Sequence, residues 1–247
     1  MKLENKVCVI TGSSSGIGEA IARKFAESGA KVMLAARREI NLNRLSEKIR
    51  GTGGKCKYTP TDITDETQVK NLFKKTLEEY GRVDVLVNSA GQESQALSIT
   101  ETTEEEWDRI HNVDLKGPFL CCKEGFKIME RQGEGKIINI VSVAGKVGSS
   151  SRGIAYKSSK HGLMGLSKVL LREAKDKGIS VTVINPGYVN TPMLRRYLED
   201  EEVLKKAVSP EDVADVALFI ATRDQNVIIP QITIYPRHEI DRYGMTV

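Results

Sequence analysis

Tyr156 and Lys160 stand four residues apart in Tyr-Lys-Ser-Ser-Lys, and Ser142 closes an apolar run fourteen residues upstream. Residues four apart on a helix share a face, so a phenol and an ammonium would open into one space. A free tyrosine gives up its proton only near pH ~10, too high for a proton shuttle at neutral pH. A neighbouring cation favours the phenolate and brings that proton towards the range where a positioned acid or base works best. Such a pair, with a serine nearby, can run chemistry at a carbonyl. Taken singly, each residue has an ordinary reading: a solvated helix face for the Tyr/Lys pair, a strand-end cap for Ser142.

A scaffold has to hold these groups, and the apolar pattern says which. Val7–Thr11 is an apolar strand-like run, and residues 18–28 then carry Ala20, Ile21 and Phe25 at helical spacing. Lys31–Ala36 is the next strand, followed by a charged amphipathic stretch to Arg50. Residues 56–59, 83–88, 136–141 and 180–185 read as further short strands separated by helical stretches. Their cores are continuous, as in Ile137-Ile138-Asn139-Ile140-Val141, which suits parallel strands covered on both faces. This alternation predicts an α/β fold: a Rossmann-like, doubly wound parallel β-sheet with helices on both faces. No linker or repeat divides it, so residues 1–247 are expected to form a single domain. Residues 226–247 are less regular, with 232–235 read as a last strand and a charged tail beyond.

Composition narrows the function classes. The 247 residues are 40% hydrophobic and 28% charged, ordinary for a globular protein. The 37 bases and 33 acids are interspersed and leave a net charge of only +4, which is no nucleic-acid footprint. No stretch reaches the roughly 18 apolar residues of a membrane span, and residues 1–6 lack the apolar core of a secretory signal. Cys8, Cys56, Cys121 and Cys122 form no CxxC pair. They read as reduced structural residues in a reducing, cytoplasmic setting. His111, His161 and His238 show no ligand spacing, so no metal is expected.

One loop adds a second kind of chemistry. Thr11-Gly12-Ser13-Ser14-Ser15-Gly16-Ile17-Gly18 follows the first strand and opens the first helix. Gly12 allows a sharp turn, Gly16 lets the backbone approach a pyrophosphate, and Gly18 allows close helix–sheet packing. The helix end then offers free N–H groups to an anion. A lone glycine motif is usually a surface turn, but strand–turn–helix at the start of an α/β chain is the context of a dinucleotide site.

Together with that loop, Asn88-Ser89-Ala90-Gly91, Ser142, Tyr156-x-x-x-Lys160 and Asn185-Pro186-Gly187 resemble the short-chain dehydrogenase/reductase family in its compact single-domain form. The match runs from about Lys6 to Thr191. It implies an oxidoreductase that interconverts a carbonyl and a secondary alcohol. Tyr156 would be the general acid/base, Lys160 would lower its pKa and bind the nicotinamide ribose, and Ser142 would orient the substrate. Asn112 would hold a water for proton relay. The resemblance also assigns Gly12, Ser14, Ser15, Gly16, Ile17 and Gly18 to the phosphates, and Asp62 and Ile63 to adenine. Asn88, Ala90 and Gly91 would support the cofactor side of the sheet. Pro186, Gly187, Val189 and Thr191 would lie along the nicotinamide. Ser89 departs from the family's usual second asparagine, and the C-terminal segment departs more.

Nucleotide choice in such folds is set at the end of the second strand, where an acid binds the ribose 2′-OH or an arginine accommodates a 2′-phosphate. Here Ala36 replaces the acid and Arg37 follows, so NADP(H) is expected to be preferred, with NAD(H) second. The substrate side should be lined by residues 92–97, 143–154 and 188–204, with a short lid over about 188–209. A polar Ser149-Ser150-Ser151-Arg152 stretch and an Arg195-Arg196 pair fall within it. The expected partner is a small carbonyl or alcohol, and the expected assembly a homotetramer, with a dimer second. The competing readings are an NAD(P)-binding regulatory or scaffold protein on the same fold, which would not need the Ser/Tyr/Lys/Asn set, and an extended sugar-nucleotide enzyme, which needs a larger C-terminal domain.

Overall fold

The computed structural model describes residues 2–146 and 153–237. Seven strands are formed: β1 (Val7–Thr11), β2 (Lys31–Ala36), β3 (Lys55–Pro60), β4 (Val85–Asn88), β5 (Gly135–Ile140), β6 (Ile179–Pro186) and β7 (Gln231–Ile234). They make one parallel sheet in the order β3-β2-β1-β4-β5-β6-β7. This is the doubly wound α/β arrangement expected from the alternation. The central strands β1, β4, β5 and β6 are buried along their whole length, which is why their sequences are largely apolar. The edge strands β3 and β7 keep exposed positions.

Side chains leave alternate faces of each strand, and this splits the core in two. Cys8 and Ile10 pack with Phe25 of α1 (Gly16–Glu27), Leu42 of α2 (Glu39–Gly51) and Val213 of α8 (Pro210–Ala221). Val9 points the other way, towards Phe73 of α3 (Glu66–Tyr80) and Phe126 of α5 (Gly117–Gln132). The remaining helices are α4 (Glu104–His111), α6 (Ile154–Ala174) and the short α7 (Glu201–Lys206).

Polar side chains tie the layers together. Asn88 Nδ2 donates to Asn139 Oδ1 at 2.9 Å, and Asn139 Nδ2 donates to Ser167 Oγ at 2.8 Å. That chain links β4 and β5 to α6 within the core, where Asn88 and Asn139 are buried.

Element ends differ slightly from the expectation. α1 begins at Gly16 instead of 18, and the last strand begins at Gln231 instead of 232. β4 begins at Val85 instead of 83: the Val83 amide donates to Gln132 Oε1, and Asp84, whose backbone bonds to Val7 and Lys136, also accepts the Val7 amide on its carboxylate at 2.8 Å.

Asp84 anchors the amino-terminal edge of the sheet. Arg82 Nη2 lies 2.7 Å and Lys6 Nζ 3.0 Å from it, and Arg82 also reaches Glu134 at 2.5 Å. Burial opposes the Asp84 charge, but Arg82, the Val7 amide and Lys6 outweigh it and hold the carboxyl below its ordinary value. With the folded value depressed, this stabilisation is present above the unfolded value near pH ~4 and is lost as pH falls through the folded one. Asp84→Asn is therefore expected to cost about 1–2 kcal/mol at pH 7, a gap that narrows on acidification below about pH 4. Urea unfolding at pH 7 and pH 3 checks this, and a gap that stays constant with pH would contradict it.

Candidate active site

In the strand order, β1 and β4 are neighbours whose following connections depart in opposite directions across the sheet. A crevice must open at the carboxyl ends of such strands, and a groove of about 700 Å³ lies there. Its floor is made by two loops in contact. Gly12 has φ +66°, and a Cβ on it would sit 2.6 Å from the Ala90 backbone. The loop after β1 can therefore close on the loop after β4 only with glycine at this position. Ser15 caps α1 without a side-chain hydrogen bond, so the amides of the first turn are left for a ligand or water. Gly16 lies under Thr191, whose Cγ2 would be 3.2 Å from an added Cβ.

One end of the groove is basic. Ala36, Arg37, Arg38 and Asn41 line it. Arg38 Nη2 donates to Ser14 Oγ at 3.2 Å and Asn41 Nδ2 to the Ser14 carbonyl at 3.5 Å, which fastens the glycine loop to the start of α2. Beside them Asp62 forms a turn, its Oδ1 accepting from the Thr64 amide and hydroxyl at 2.9 and 2.8 Å. The helix cap that follows is Asp65, not Asp62.

The other end holds Ser142, Tyr156 and Lys160. The face of α6 made by Ala155, Tyr156, Ser159, Lys160, Leu163, Met164 and Ser167 is buried, the i, i+3, i+4 spacing of a helix seated on the core. Lys160 Nζ lies 5.4 Å from the Tyr156 ring centre. Ser142 follows β5, and its Oγ accepts from the Ala144 amide at 3.1 Å, so the hydroxyl proton remains for another acceptor. The turn at 143–145 packs on α6: a Cβ at Gly145 would be 2.9 Å from the Lys160 carbonyl. Ser142, Tyr156 and Lys160 all line the groove.

Between α4 and α5 the chain widens into a π-turn over Asn112–Lys116, a form that often marks functional positions. It turns Asp114 inward, where the residue is fully buried. Asp114 Oδ2 lies 3.0 Å from Lys160 Nζ, and Oδ1 accepts from the Gln92 amide at 2.7 Å. Burial acts against the Lys160 charge, yet Asp114 and Tyr156 outweigh it and hold the ammonium above its ordinary value. His111 joins this region to α6, its Nε2 lying 3.0 Å from Ser158 Oγ.

With this geometry in place, comparison with known proteins is decisive. The family model for short chain dehydrogenase matches residues 6–202. The chain is a short-chain dehydrogenase/reductase. It is 36% identical over 241 residues to the 3-oxoacyl-[acyl-carrier-protein] reductase FabG of Thermotoga maritima, covering 94% of this chain and 96% of that protein. A metagenomic short-chain oxidoreductase solved in complex with NADP superposes with a TM-score of 0.84 at 32% identity, covering 96% of this chain and 99% of the other. Levodione reductase superposes with a TM-score of 0.87 at 29% identity, covering 94% and 96%. The protein is accordingly an NAD(P)-dependent oxidoreductase acting on CH–OH groups.

In this short-chain dehydrogenase/reductase, nearly every residue singled out from the sequence lines the groove: Gly12, Ser14, Ser15, Gly16, Ile17, Gly18, Arg37, Asp62, Ile63, Ala90, Gly91, Ser142, Tyr156, Lys160, Pro186, Gly187, Val189 and Thr191. Asn88 and Asn112 do not. Asn88 faces the core, where it bridges the sheet to Cys122 and Asn139. Asn112 opens the π-turn, and its carbonyl accepts from the Gly117 amide. Sequence reasoning passed over Asp114, two residues on, and over Arg38 and Asn41. The only signal for Arg38 was its place beside Arg37. Ser149, Ser150, Ser151, Arg152 and His238 lie outside the described residues. The glycine cradle and uncapped α1 end fit a pyrophosphate, and the arginines at the far end fit further anionic charge.

The contact between the two loops makes a specific demand. Gly12→Ala is expected to lose about 1–3 kcal/mol of stability and to weaken nucleotide binding, whereas Gly53→Ala, with φ +86° but nothing within 4 Å, should leave nucleotide binding unchanged. Thermal unfolding and nucleotide titration of both variants check this, and wild-type affinity in Gly12→Ala would contradict it.

Proposed function

We propose that the protein is an NADP(H)-preferring carbonyl reductase/secondary-alcohol dehydrogenase with Tyr156 as its general acid/base. The observation that carries this reading is the sharing of one groove by Ser142, Tyr156 and Lys160 at one end and the glycine loop with Arg37 and Arg38 at the other. The nicotinamide, when bound, supplies or accepts the hydride at the substrate carbon. Ser142 donates its hydroxyl proton in a hydrogen bond to the carbonyl oxygen and fixes its position. Tyr156 delivers a proton to that oxygen during reduction and removes it during oxidation. Lys160 stabilises the phenolate left behind and offers its remaining N–H groups to ribose hydroxyls. Reduction thus consumes one carbonyl, one hydride and one proton, and yields one alcohol. The protein's share is position and electrostatics.

For the cofactor, Arg37 and Arg38 beside Ser14 make a basic, hydrogen-bonding cradle, and Ala36 brings no acid to repel a 2′-phosphate. Asp62 and Ile63 are assigned to adenine, and Pro186, Gly187, Val189 and Thr191 to the nicotinamide. Their turn is braced by the Gly187 amide on the Ile234 carbonyl at 2.8 Å and by pairing of Val189 with Val208. We assign the contact with Lys160 to Asp114 in place of a water-holding Asn112. The substrate is a small carbonyl or alcohol. Near it the walls include Gln95, Arg109, Tyr188, Arg196 and Tyr197, while Arg195 is engaged with Asn190 and Glu201.

Assembly as a homotetramer fits two separate sets of exposed apolar side chains: Trp107, Phe119 and Val169 on α4, α5 and α6, and Phe219, Val227 and Ile228 at and beyond the end of α8. The four cysteines are free and buried, and burial raises each thiol, Cys122 to about 12 and Cys56 to about 11. Unreactive reduced thiols suit the cytoplasm. No described helix is long and apolar enough to cross a membrane.

Oxidation of NADPH and NADH against a panel of ketones, aldehydes and keto acids tests the reading. Tyr156→Phe should lower kcat by about 100-fold or more while still binding nucleotide. Replacing Arg37 and Arg38 with alanine should raise the KM for NADPH by about tenfold or more and barely change that for NADH. Equal use of NADH by the parent protein would overturn the cofactor assignment, and full activity in Tyr156→Phe the mechanism.

A further inference from the structure

A buried carboxylate beside the proposed proton donor is not needed to bind a nucleotide or to hold a substrate. Asp114 is such a group: its side chain is wholly buried, Lys160 is 5% exposed, and their charged atoms are 3.0 Å apart. The pair sits directly beneath the cofactor loop. A Cβ at Gly91 would lie 3.5 Å from Lys160 Nζ and 3.7 Å from both Asp114 oxygens. The next residue's amide, on Gln92, donates to the same carboxylate. Asp114 thus fastens three separate elements, the π-turn, the loop after β4 and α6, at the point where Lys160 meets Tyr156.

We propose that Asp114 is a positioning residue that clamps Lys160 beneath Gly91 and offsets its charge, so that Tyr156 works beside a nearly neutral ion pair instead of a lone cation. The inference rests on the reading of Tyr156 and Lys160 given above. A lone buried ammonium favours the phenolate strongly, and an added carboxylate opposes it. Without the carboxylate, the Tyr156 phenol would face the uncompensated Lys160 cation.

Other charged and titratable groups surround the cluster. His111 approaches from α4, bound to Ser158. Arg109 of α4, Glu93 of the β4 loop, Lys157 of α6 and Tyr188 beyond β6 line the same groove. His161 faces the Lys157 carbonyl on α6, and Lys146, after the 143–145 turn, reaches Thr233. The charges that act on Lys160 are those of Asp114 and Tyr156; burial raises the Asp114 carboxyl above its ordinary value, against the lowering charges of Lys160 and His111. Asp114 is therefore the group whose removal changes the charge at Lys160.

Asp114→Asn keeps the side chain's size and an acceptor for the Gln92 amide while removing the charge, and Asp114→Glu keeps the charge. Two readouts apply: the pH–rate profile of turnover, and tyrosinate absorbance of the folded protein taken as a difference against Tyr156→Phe. In Asp114→Asn both are expected to move to lower pH by about one unit or more, with Asp114→Glu close to wild type. Nucleotide titration and thermal unfolding verify that each variant is folded. Should Asp114→Asn not fold, Asp114→Ser is the smaller neutral replacement, with the same shift expected. Profiles that are unchanged or move to higher pH in a folded neutral variant would overturn the proposal. A shift in tyrosinate absorbance without turnover on any carbonyl would sink the reductase reading and leave the clamp standing. Turnover without a shift would do the reverse.

Discussion

A parallel sheet imposes one constraint from which the rest of this structure follows: every strand must be re-entered from the same end. Each return therefore crosses a face of the sheet, usually as a helix, and the strand ends that carry the functional loops collect along one edge. With β1 and β4 adjacent and their onward connections diverging, a crevice between their loops is unavoidable. The glycine loop, Gly91, Ser142 and the turn after Asn185 reach one groove because they follow β1, β4, β5 and β6. The opposite edge has no such role and is closed by charge, with Asp84 bound by Arg82, Lys6 and the Val7 amide.

At the working edge the organising interaction is electrostatic. An ammonium taken out of water carries a desolvation penalty of several kcal/mol, and α6 buries Lys160 almost completely. A buried cation in that position needs either solvent or a counter-charge. Here the π-turn supplies the counter-charge by turning Asp114 inward, and the Gln92 amide completes its coordination. The same contacts fix the loop that carries Gly91, so the Lys160 ammonium and the backbone of that loop are held by one side chain. Ser142 is placed by different means: its oxygen caps the turn that packs on α6, and its proton is left for another acceptor in the groove.

What could be read from the sequence was the chemistry written in short spacings. Tyr156 and Lys160 are one helical turn apart, and the glycine loop is eight consecutive residues, so their geometry follows from local conformation. The strands were legible because burial on both faces leaves largely apolar runs. Asp114 was not legible, since its partner is 46 residues away and its direction depends on a π-turn that a regular 3.6-residue period does not anticipate. Asn112, the residue implied by the family resemblance, opens that same turn and does not line the groove. Asn88, expected on the cofactor side, has its amide nitrogen on Asn139 of the next strand and on Cys122 of α5, inside the core. Arg38 showed itself only through contact with Ser14, 24 residues earlier in the chain. The run 83–88 reads as strand throughout because Val83 and Asp84 are buried, yet β4 begins at Val85: the Val83 amide is taken by Gln132, while the Asp84 backbone still bonds to Val7 and Lys136.

The central claim is that hydride moves between a nicotinamide in this groove and a carbonyl carbon held by Ser142 and Tyr156. The most direct measurement follows deuterium from C4 of labelled NADPH into the product of a ketone substrate by mass spectrometry and NMR. The account predicts deuterium on the carbon bearing the new hydroxyl, with its oxygen protonated from solvent. Oxidation of the labelled cofactor with no deuterium at that carbon would contradict it.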